Sequence, residues 1–294
     1  MQKKRKPFFS IVIPTLNEEK YLPLLLKDLS KQSLSDFEVI VVDGTSEDAT
    51  ISQAKKFETV FALTICETTT RNVSYQRNLG SKKARGSWII FMDADNRLPE
   101  YFLTGLQFQL LKNKTVDSFT SWASLKASTR IEKLIEMSIN YGLELAENMH
   151  LPQAVGALIG CRAAVVKKIS FDENLTIFED GAYVRSIVEA GYTFKIFREP
   201  RFFYSPRRIK KEGNLKMIGI FINNQTRYIL GGDFTKPYSN KGYPMLGGSY
   251  YAEEKSPEKF SHWLSQIESL LKQASTKQLE QTRRVIKTFI DFEE

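Results

Sequence analysis

One stretch constrains this chain more than any other: Trp88-Ile89-Ile90-Phe91-Met92-Asp93-Ala94-Asp95, an apolar run of strand length that ends in two carboxylates one residue apart. With Gly86 before it and Asn96 and Pro99 after it, the run reads as a buried strand of an α/β sheet. Such sheets bind ligands outside the carboxyl ends of their strands, so Asp93 and Asp95 fall where a site belongs. Two carboxylates on a rigid strand tip, separated only by the small Ala94, suit a hard divalent cation carrying a phosphorylated substrate. The same spacing also allows a plain surface turn begun by two aspartates.

The segments on either side support the α/β reading. Residues 8–13 form an apolar run that predicts a first buried strand, ended by Pro14 because proline lacks the amide a central ladder needs. A loop at residues 15–18 follows, and Pro23 sets a helix start near Leu22. A second strand over residues 37–42 runs into Asp43-Gly44, with Ser46 or Asp48 available to cap the next helix. Residues 60–66 predict a third strand, and a helix carrying Gln76, Arg77, Asn78 and Leu79 closes at Gly86. This alternation argues for a mostly parallel sheet with right-handed crossovers, its first third a nucleotide-binding half. Beyond Pro99 the pattern predicts a helix through Phe102, Leu106 and Leu110, a strand over 116–122 and an amphipathic segment over 129–147. A Gly-flanked strand over 156–160, a helix from Glu179 to Gly191 and a strand over 192–197 come next. Residues 214–230 have one apolar face, fit either for packing on the domain or for lying on lipid. Residues 231–249 suit a lid or linker, and two amphipathic helices are expected around 260–271 and 279–292.

The 294 residues suffice for one large α/β domain or two small ones. The two cysteines, Cys66 and Cys161, lie far apart in apolar contexts, which suggests reduced core residues and a cytoplasmic chain. A formal charge of +8 with no nucleic-acid motif points to nucleotide phosphates or an acidic membrane surface as partners. Lys3-Lys4-Arg5-Lys6 is read as a basic tail and not a signal peptide, because the apolar run behind it stops at Pro14 and is followed by Asn17-Glu18-Glu19. No run approaches the roughly twenty apolar residues of a membrane span, so any attachment, at the inner face of the membrane, is expected to be peripheral.

Five motifs in order carry a resemblance: Ile13-Pro14-Thr15-Leu16-Asn17-Glu18, Val41-Val42-Asp43-Gly44-Thr45-Ser46-Glu47-Asp48, Arg77-Asn78-Leu79-Gly80, Met92-Asp93-Ala94-Asp95, and Glu179-Asp180 ahead of a helix with Arg185. Each is weak alone. Together, over residues 8–210, they resemble the family 2 glycosyltransferases, nucleotide-diphospho-sugar transferases of the GT-A fold. The resemblance implies a Rossmann-like, mostly parallel α/β sheet flanked by helices, with a helical C-terminal extension. It divides the chain into a basic tail (1–7), a GT-A domain (8–210) with a nucleotide-binding half (8–97) and an acceptor half (98–210), and an amphipathic extension (211–294).

The resemblance also implies roles. Pro14, Thr15, Asn17 and Glu18 would line the nucleotide pocket, with Asp43 at the base or ribose, where a carboxylate can accept two hydrogen bonds. Arg77, or less favourably Arg71, would meet the nucleotide or its phosphates. Asp93 would serve ribose and ion, while Asp95 is the firmer ligand for Mg²⁺ or Mn²⁺. Asp180 is the candidate general base, with Glu179 beside it to meet acceptor or phosphate. Read from the residues alone, Ser205-Pro206-Arg207-Arg208 is foremost an anion clamp that closes over the diphosphate, with receipt of a phosphate-bearing acceptor as the alternative. Two departures stand out. The family often writes Asp-Asp-Gly-Ser where this chain has Asp43-Gly44-Thr45-Ser46, which weakens the inference about the base. Neither His150 nor His262 follows the late strand, so a histidine metal ligand is absent or replaced by water. Simpler roles remain open: Asp43 as a helix cap, Glu179 and Asp180 as favourable charges at a helix start, residues 205–208 as a turn.

The activity implied is inverting, metal-dependent transfer of a sugar, from a UDP-sugar foremost, to a hydroxyl of a glycan or lipid-linked acceptor in cell-envelope polysaccharide synthesis. A polyprenyl phosphate acceptor, already ionised and needing no base, is the alternative. A non-catalytic sugar-nucleotide-binding protein is another. A nucleotidyltransferase or a dinucleotide dehydrogenase is set aside, since no Gly-rich phosphate loop follows the first strand.

Overall fold

The computed structural model describes residues 6–125, 130–148, 152–154, 156–175, 179–205 and 207. The elements run in the order β1 (Phe9–Thr15), α1 (Leu22–Ser30), β2 (Phe37–Asp43), α2 (Thr50–Lys55), β3 (Leu63–Glu67), α3 (Val73–Lys83), β4 (Trp88–Met92), α4 (Phe102–Lys112), β5 (Ser118–Ser124), α5 (Arg130–Asn148), β6 (Leu158–Arg162), α6 (Ala163–Val166), α7 (Glu179–Glu189) and β7 (Phe194–Phe203). Among the described residues seven strands form one sheet in the order β3-β2-β1-β4-β6-β5-β7, and of these only β6 runs against its neighbours, β4 and β5, the remaining pairs being parallel.

The central strands are mostly apolar because both faces are covered, and alternate residues serve opposite layers. Ile11, Ile13, Val39, Val41, Ile90 and Met92 pack with Leu22, Leu25 and Leu26 of α1 and Phe102, Leu103 and Leu106 of α4. Val12, Ile40, Val42, Ile89 and Phe91 face the other way, toward Tyr183, Val184 and Ile187 of α7. Helix α3 is different. Its buried residues are Ser74, Gln76, Arg77, Asn78 and Gly80, so it brings polar groups against the sheet. It comes so close that a Cβ at Gly80 would collide with the Val12 side chain.

Several boundaries depart from the expectations. Strand β1 runs on through Pro14 to Thr15, still in register with β2. Its ladder with β4 has already ended at Val12↔Phe91, so proline sits beyond the last pair on that side and its missing amide breaks nothing. Strand β3 starts at Leu63, after an exposed Val60, and β5 and β6 begin at Ser118 and Leu158, two residues later than expected. Strand β7 is longer than predicted and extends to Phe203. Helix α3 stops at Lys83, and Gly86 instead lies tight against β1, where a Cβ would stand 2.5 Å from Ser10 N. The cysteines are free, Cys161 buried and Cys66 half-buried. Among the described residues no helix is long and apolar enough to cross a membrane. The basic run at 3–5, Arg208 and the expected elements of 211–294 lie outside the described residues.

Candidate active site

Parallel pairing of β1 with β2 on one side and β4 on the other delivers Thr15, Asp43 and Asp93 to the same edge of the sheet. The loops after β1 and β2 are laced together there. The buried Asp43 carboxylate accepts from Thr15 Oγ1 (3.0 Å) and from the amide and hydroxyl of Ser46 (2.7 and 2.6 Å). Asn17 takes a left-handed conformation (φ 55°), which asparagine tolerates better than most residues. Its amide donates to Ser46 Oγ (2.8 Å) and its side-chain carbonyl accepts from the Glu47 amide (2.8 Å). The Glu18 amide donates to Thr50 Oγ1 (2.7 Å). Asp43 therefore does not cap α2; the Thr50 amide is received by Asp48 (2.9 Å). Gln76 closes the gap between strand ends, its Nε2 donating to the carbonyls of Thr15 (2.9 Å) and Val42 (2.7 Å). Arg71 lies on the outside of these loops, on the carbonyls of Gly44 and Thr45 and on Glu47.

Arg77 joins this edge to the second half of the chain. Its side chain is 2% exposed, with Nη2 donating to Asp93 Oδ1 (3.1 Å) and to the Gly156 carbonyl (2.9 Å), and Nη1 to Glu179 Oε1 (3.0 Å). Its charge lies over the Phe171 ring at 5.2 Å. Asp180 follows Glu179 at the start of α7 and accepts the Gly181 amide (2.8 Å). Gly156 makes room for it, since a Cβ there would stand 2.5 Å from Asp180 Oδ2.

Burial pushes the Asp180 carboxyl up to about 7, with Glu179 and Asp93 adding to the rise and the Gly181 amide and Arg77 opposing it. Asp93 is likewise raised, to about 6, chiefly by burial, with Asp95 and Glu179 behind it and Arg77 pulling the other way. Its side chain keeps one open face, 38% exposed, toward the edge of the sheet. A carboxylate whose proton comes off near neutrality can exchange one with a substrate hydroxyl.

A second arginine occupies the other side. Arg207 donates from Nη1 and Nη2 to the two oxygens of Glu18 (3.1 Å each) and from Nε to Asp95 Oδ2 (3.0 Å), with Nη2 also 2.7 Å from that oxygen. Its guanidinium stacks 4.0 Å from the Tyr21 ring centroid. Burial raises the Glu18 carboxyl to about 7, against the pull of Arg207 and with Asp95 and Asp93 adding to the rise.

Two clusters thus stand near enough to feel each other's charge, Arg77 with Asp93 and Glu179 and, beside them, Asp180, and Arg207 with Glu18 and Asp95, with Pro14, Thr15, Asn17 and Asp43 in β1, β2 and the adjoining loops. The donors are all carboxylate oxygens, the set Mg²⁺ and Mn²⁺ take, and a cationic group already rests against Asp95 and Glu18. Among the described residues no three His, Cys, Asp or Glu side chains converge into a ready cage. An ion here would complete its shell with water and ligand oxygens, as Mg²⁺ commonly does.

The residues that sequence reasoning passed over are Tyr21, Gln76 and Gly156. Gln76 stands immediately before the Arg-Asn-Leu-Gly motif, the one local signal for it. Tyr21 and Gly156 act through partners 186 and 24 positions away (207 − 21 and 180 − 156), and no short motif reports them.

The Glycosyl transferase family 2 model matches residues 10–170. A Mycobacterium bovis protein named as a PGL/p-HBAD biosynthesis glycosyltransferase is 40% identical over 96 residues, 32% of this chain and 38% of that protein. The poly(ribitol-phosphate) beta-N-acetylglucosaminyltransferase TarS of Staphylococcus aureus is 37% identical over 92 residues, 30% of this chain and 16% of TarS. The chain thus covers well under half the length of these relatives. Among solved structures, the mannosyltransferase PcManGT from Pyrobaculum calidifontis, in complex with GDP-Man and Mn²⁺, aligns with a TM-score of 0.63 at 18% identity over 98% of this chain and 81% of that one. TarS 1-349 in complex with UDP aligns with a TM-score of 0.51 at 22% identity over 76% and 66%. Both likenesses bear on fold alone, and both are glycosyltransferases by name. Since the family model spans more than half of the chain, from β1 to just beyond α6, and the sheet is that of the GT-A neighbours, the chain belongs to glycosyl transferase family 2.

Proposed function

We propose that the protein transfers a sugar from a nucleotide-diphosphate donor, UDP-sugar foremost, to a hydroxyl of a glycan or lipid-linked acceptor, with divalent metal dependence and inversion at the anomeric carbon. One observation carries this reading: Asp180, with its carboxyl near 7, is tied through Glu179 and Arg77 to Asp93 of the donor edge. The names of the mycobacterial and staphylococcal relatives, both associated with sugar transfer, support the same class.

In this reading residues 8–97 hold the donor, residues 98–210 receive the acceptor, and 211–294 form an extension. Pro14, Thr15, Asn17 and Glu18 line the nucleotide pocket. Asp43 reaches the base or ribose with the acceptor capacity that Thr15 and Ser46 leave on its oxygens, since an ionised carboxylate has about four lone-pair sites. Arg77 serves by holding Asp93 and Glu179 in place, its guanidinium being buried between them. Asp95 and Asp93 would hold Mg²⁺ or Mn²⁺, which when bound stabilises the charge of the departing nucleoside diphosphate. Asp180 takes the acceptor hydroxyl's proton as the new bond to the anomeric carbon forms and the sugar–phosphate bond breaks. Attack from the face opposite the leaving group inverts the configuration.

The test is a donor panel: release of nucleoside diphosphate from UDP-, GDP- and dTDP-sugars, with and without Mn²⁺, in the presence of lipid or glycan extracts. Metal-dependent release from a UDP-sugar, with an inverted anomeric signal in the product's NMR spectrum, is the expected result. No release from any donor under any of these conditions overturns the reading.

A further inference from the structure

Glu18 and Asp95 come from different loops, one after β1 and one after β4, and their carboxylates are brought together with a single guanidinium between them. Arg207 is held firmly there. It donates to both oxygens of Glu18 and shares Asp95 Oδ2 between two nitrogens, its flat face stacks on Tyr21, and its side chain is only 11% exposed. Asp95 is also the carboxylate assigned above to the metal. A divalent ion arriving alone meets a positive charge already on its ligand, and the two cations repel.

We propose that Arg207 is an internal counter-cation that holds the Glu18–Asp95 pair until a metal-loaded nucleotide arrives, so that metal and nucleoside diphosphate bind as a coupled pair. The inference rests on the functional reading above and deepens it. When the ion takes Asp95, the guanidinium is released toward the diphosphate, whose oxygens it is shaped to bind in pairs. The displaced Asp95 contact is thereby replaced by phosphate contacts, which only the nucleotide supplies. Metal alone binds against that charge and therefore more weakly. Thermodynamic linkage makes the coupling reciprocal, so metal strengthens nucleotide binding by the same factor.

Calorimetry on the full chain, with Mn²⁺ alone, with UDP alone and with both, tests this. Wild type is expected to bind Mn²⁺ about tenfold more tightly with UDP than without it, a normal size for coupling between two ligands. In Arg207→Gln the two affinities move in opposite directions: Mn²⁺ alone binds about tenfold more tightly than in wild type, and UDP in saturating Mn²⁺ about tenfold more weakly. A loss of local structure would weaken both. If Arg207→Gln does not fold, Arg207→Met decides, because it keeps an aliphatic stem against Tyr21 and removes the charge; it too should bind Mn²⁺ alone more tightly than wild type. Mn²⁺ affinity unchanged or lowered in the folded variant overturns the proposal while normal Mn²⁺–UDP binding by wild type leaves the functional reading standing. Failure of wild type to bind UDP with Mn²⁺ at all overturns both.

Discussion

The two ends of the central strands both bury a carboxylate beside an arginine, and they do so in opposite ways. At the amino ends of β1, β2 and β4, Glu38 accepts from Ser10 Oγ (2.6 Å), the Arg85 amide (2.7 Å), and Arg85 Nε and Nη2 (2.8 and 2.6 Å). Ser10 in turn accepts the Gly86 amide (2.7 Å). Both oxygens of Glu38 and the Ser10 hydroxyl are occupied by other parts of the chain. At the carboxyl ends, Glu18, Asp93, Asp95, Glu179 and Asp180 share the two guanidinium groups of Arg77 and Arg207, and three of the five carboxyls sit well above the ordinary range. A saturated cluster fastens strands; an excess of negative charge awaits a cation or a proton.

Removing charge at the two ends should therefore have unequal consequences. The largest is expected from Asp95→Ala: steady-state assays with a UDP-sugar should show turnover reduced about a thousandfold, as loss of several kcal/mol of metal-assisted stabilisation requires. Normal turnover with retained Mn²⁺ dependence would put the metal elsewhere. Asp180→Asn comes next, with a loss of about a hundredfold in turnover and little change in UDP binding. Near-normal turnover of that variant would remove the base role and favour an acceptor that is already ionised, such as a polyprenyl phosphate.

A smaller effect is the pH profile. Asp180 must be unprotonated to act, and burial together with Glu179 and Asp93 raises its carboxyl to about 7 against Arg77 and the Gly181 amide. Turnover should rise with pH up to about 7 and level off above it, falling about tenfold per unit on the acid side. An acid limb near the ordinary aspartate value would mean that Asp180 is not the base. Stability changes in the opposite direction. The folded chain holds this proton more tightly than the unfolded chain, so the contribution to stability declines as pH rises from the ordinary carboxylate range through about 7. Asp180→Asn, permanently neutral, should then melt at a higher temperature than wild type at pH 8, measured by calorimetry.

Least affected in turnover should be Glu38→Gln at the saturated end. It is expected to cost about 2 kcal/mol of stability, through donors left poorly matched, and to appear as a lower urea midpoint with kcat unchanged. A fall in kcat without loss of stability would erase the contrast between the two ends.

Much of the fold was legible because it depends on local patterns. Alternating layers in β1, β2 and β4 follow from mostly apolar runs of strand length, and α1 and α4 from leucine and phenylalanine spacing. The boundaries that moved were those set by neighbours. Pro14 is tolerated inside β1 because β4 is shorter than β2 on the facing edges, which residues 8–15 do not reveal. Strand β7 is long because β5 offers it a partner as far as Ser124. The candidate site was legible as a set of residue types in order, but its wiring was not. Arg77, expected at the nucleotide or its phosphates, has Asp93, Gly156 and Glu179 as its partners. Arg207, expected as an anion clamp, rests on two carboxylates.

The amino-acid sequence by itself determined that this chain forms a mostly parallel α/β sheet with acidic residues at its strand tips, because side-chain hydrophobicity and the period of a strand act over a few residues. Only the tertiary structure decided which acid meets which base. Arg77 and Glu179 are 102 positions apart and Arg207 and Glu18 are 189 apart, and electrostatic pairing depends on distance in space, which the order of β3-β2-β1-β4-β6-β5-β7 sets.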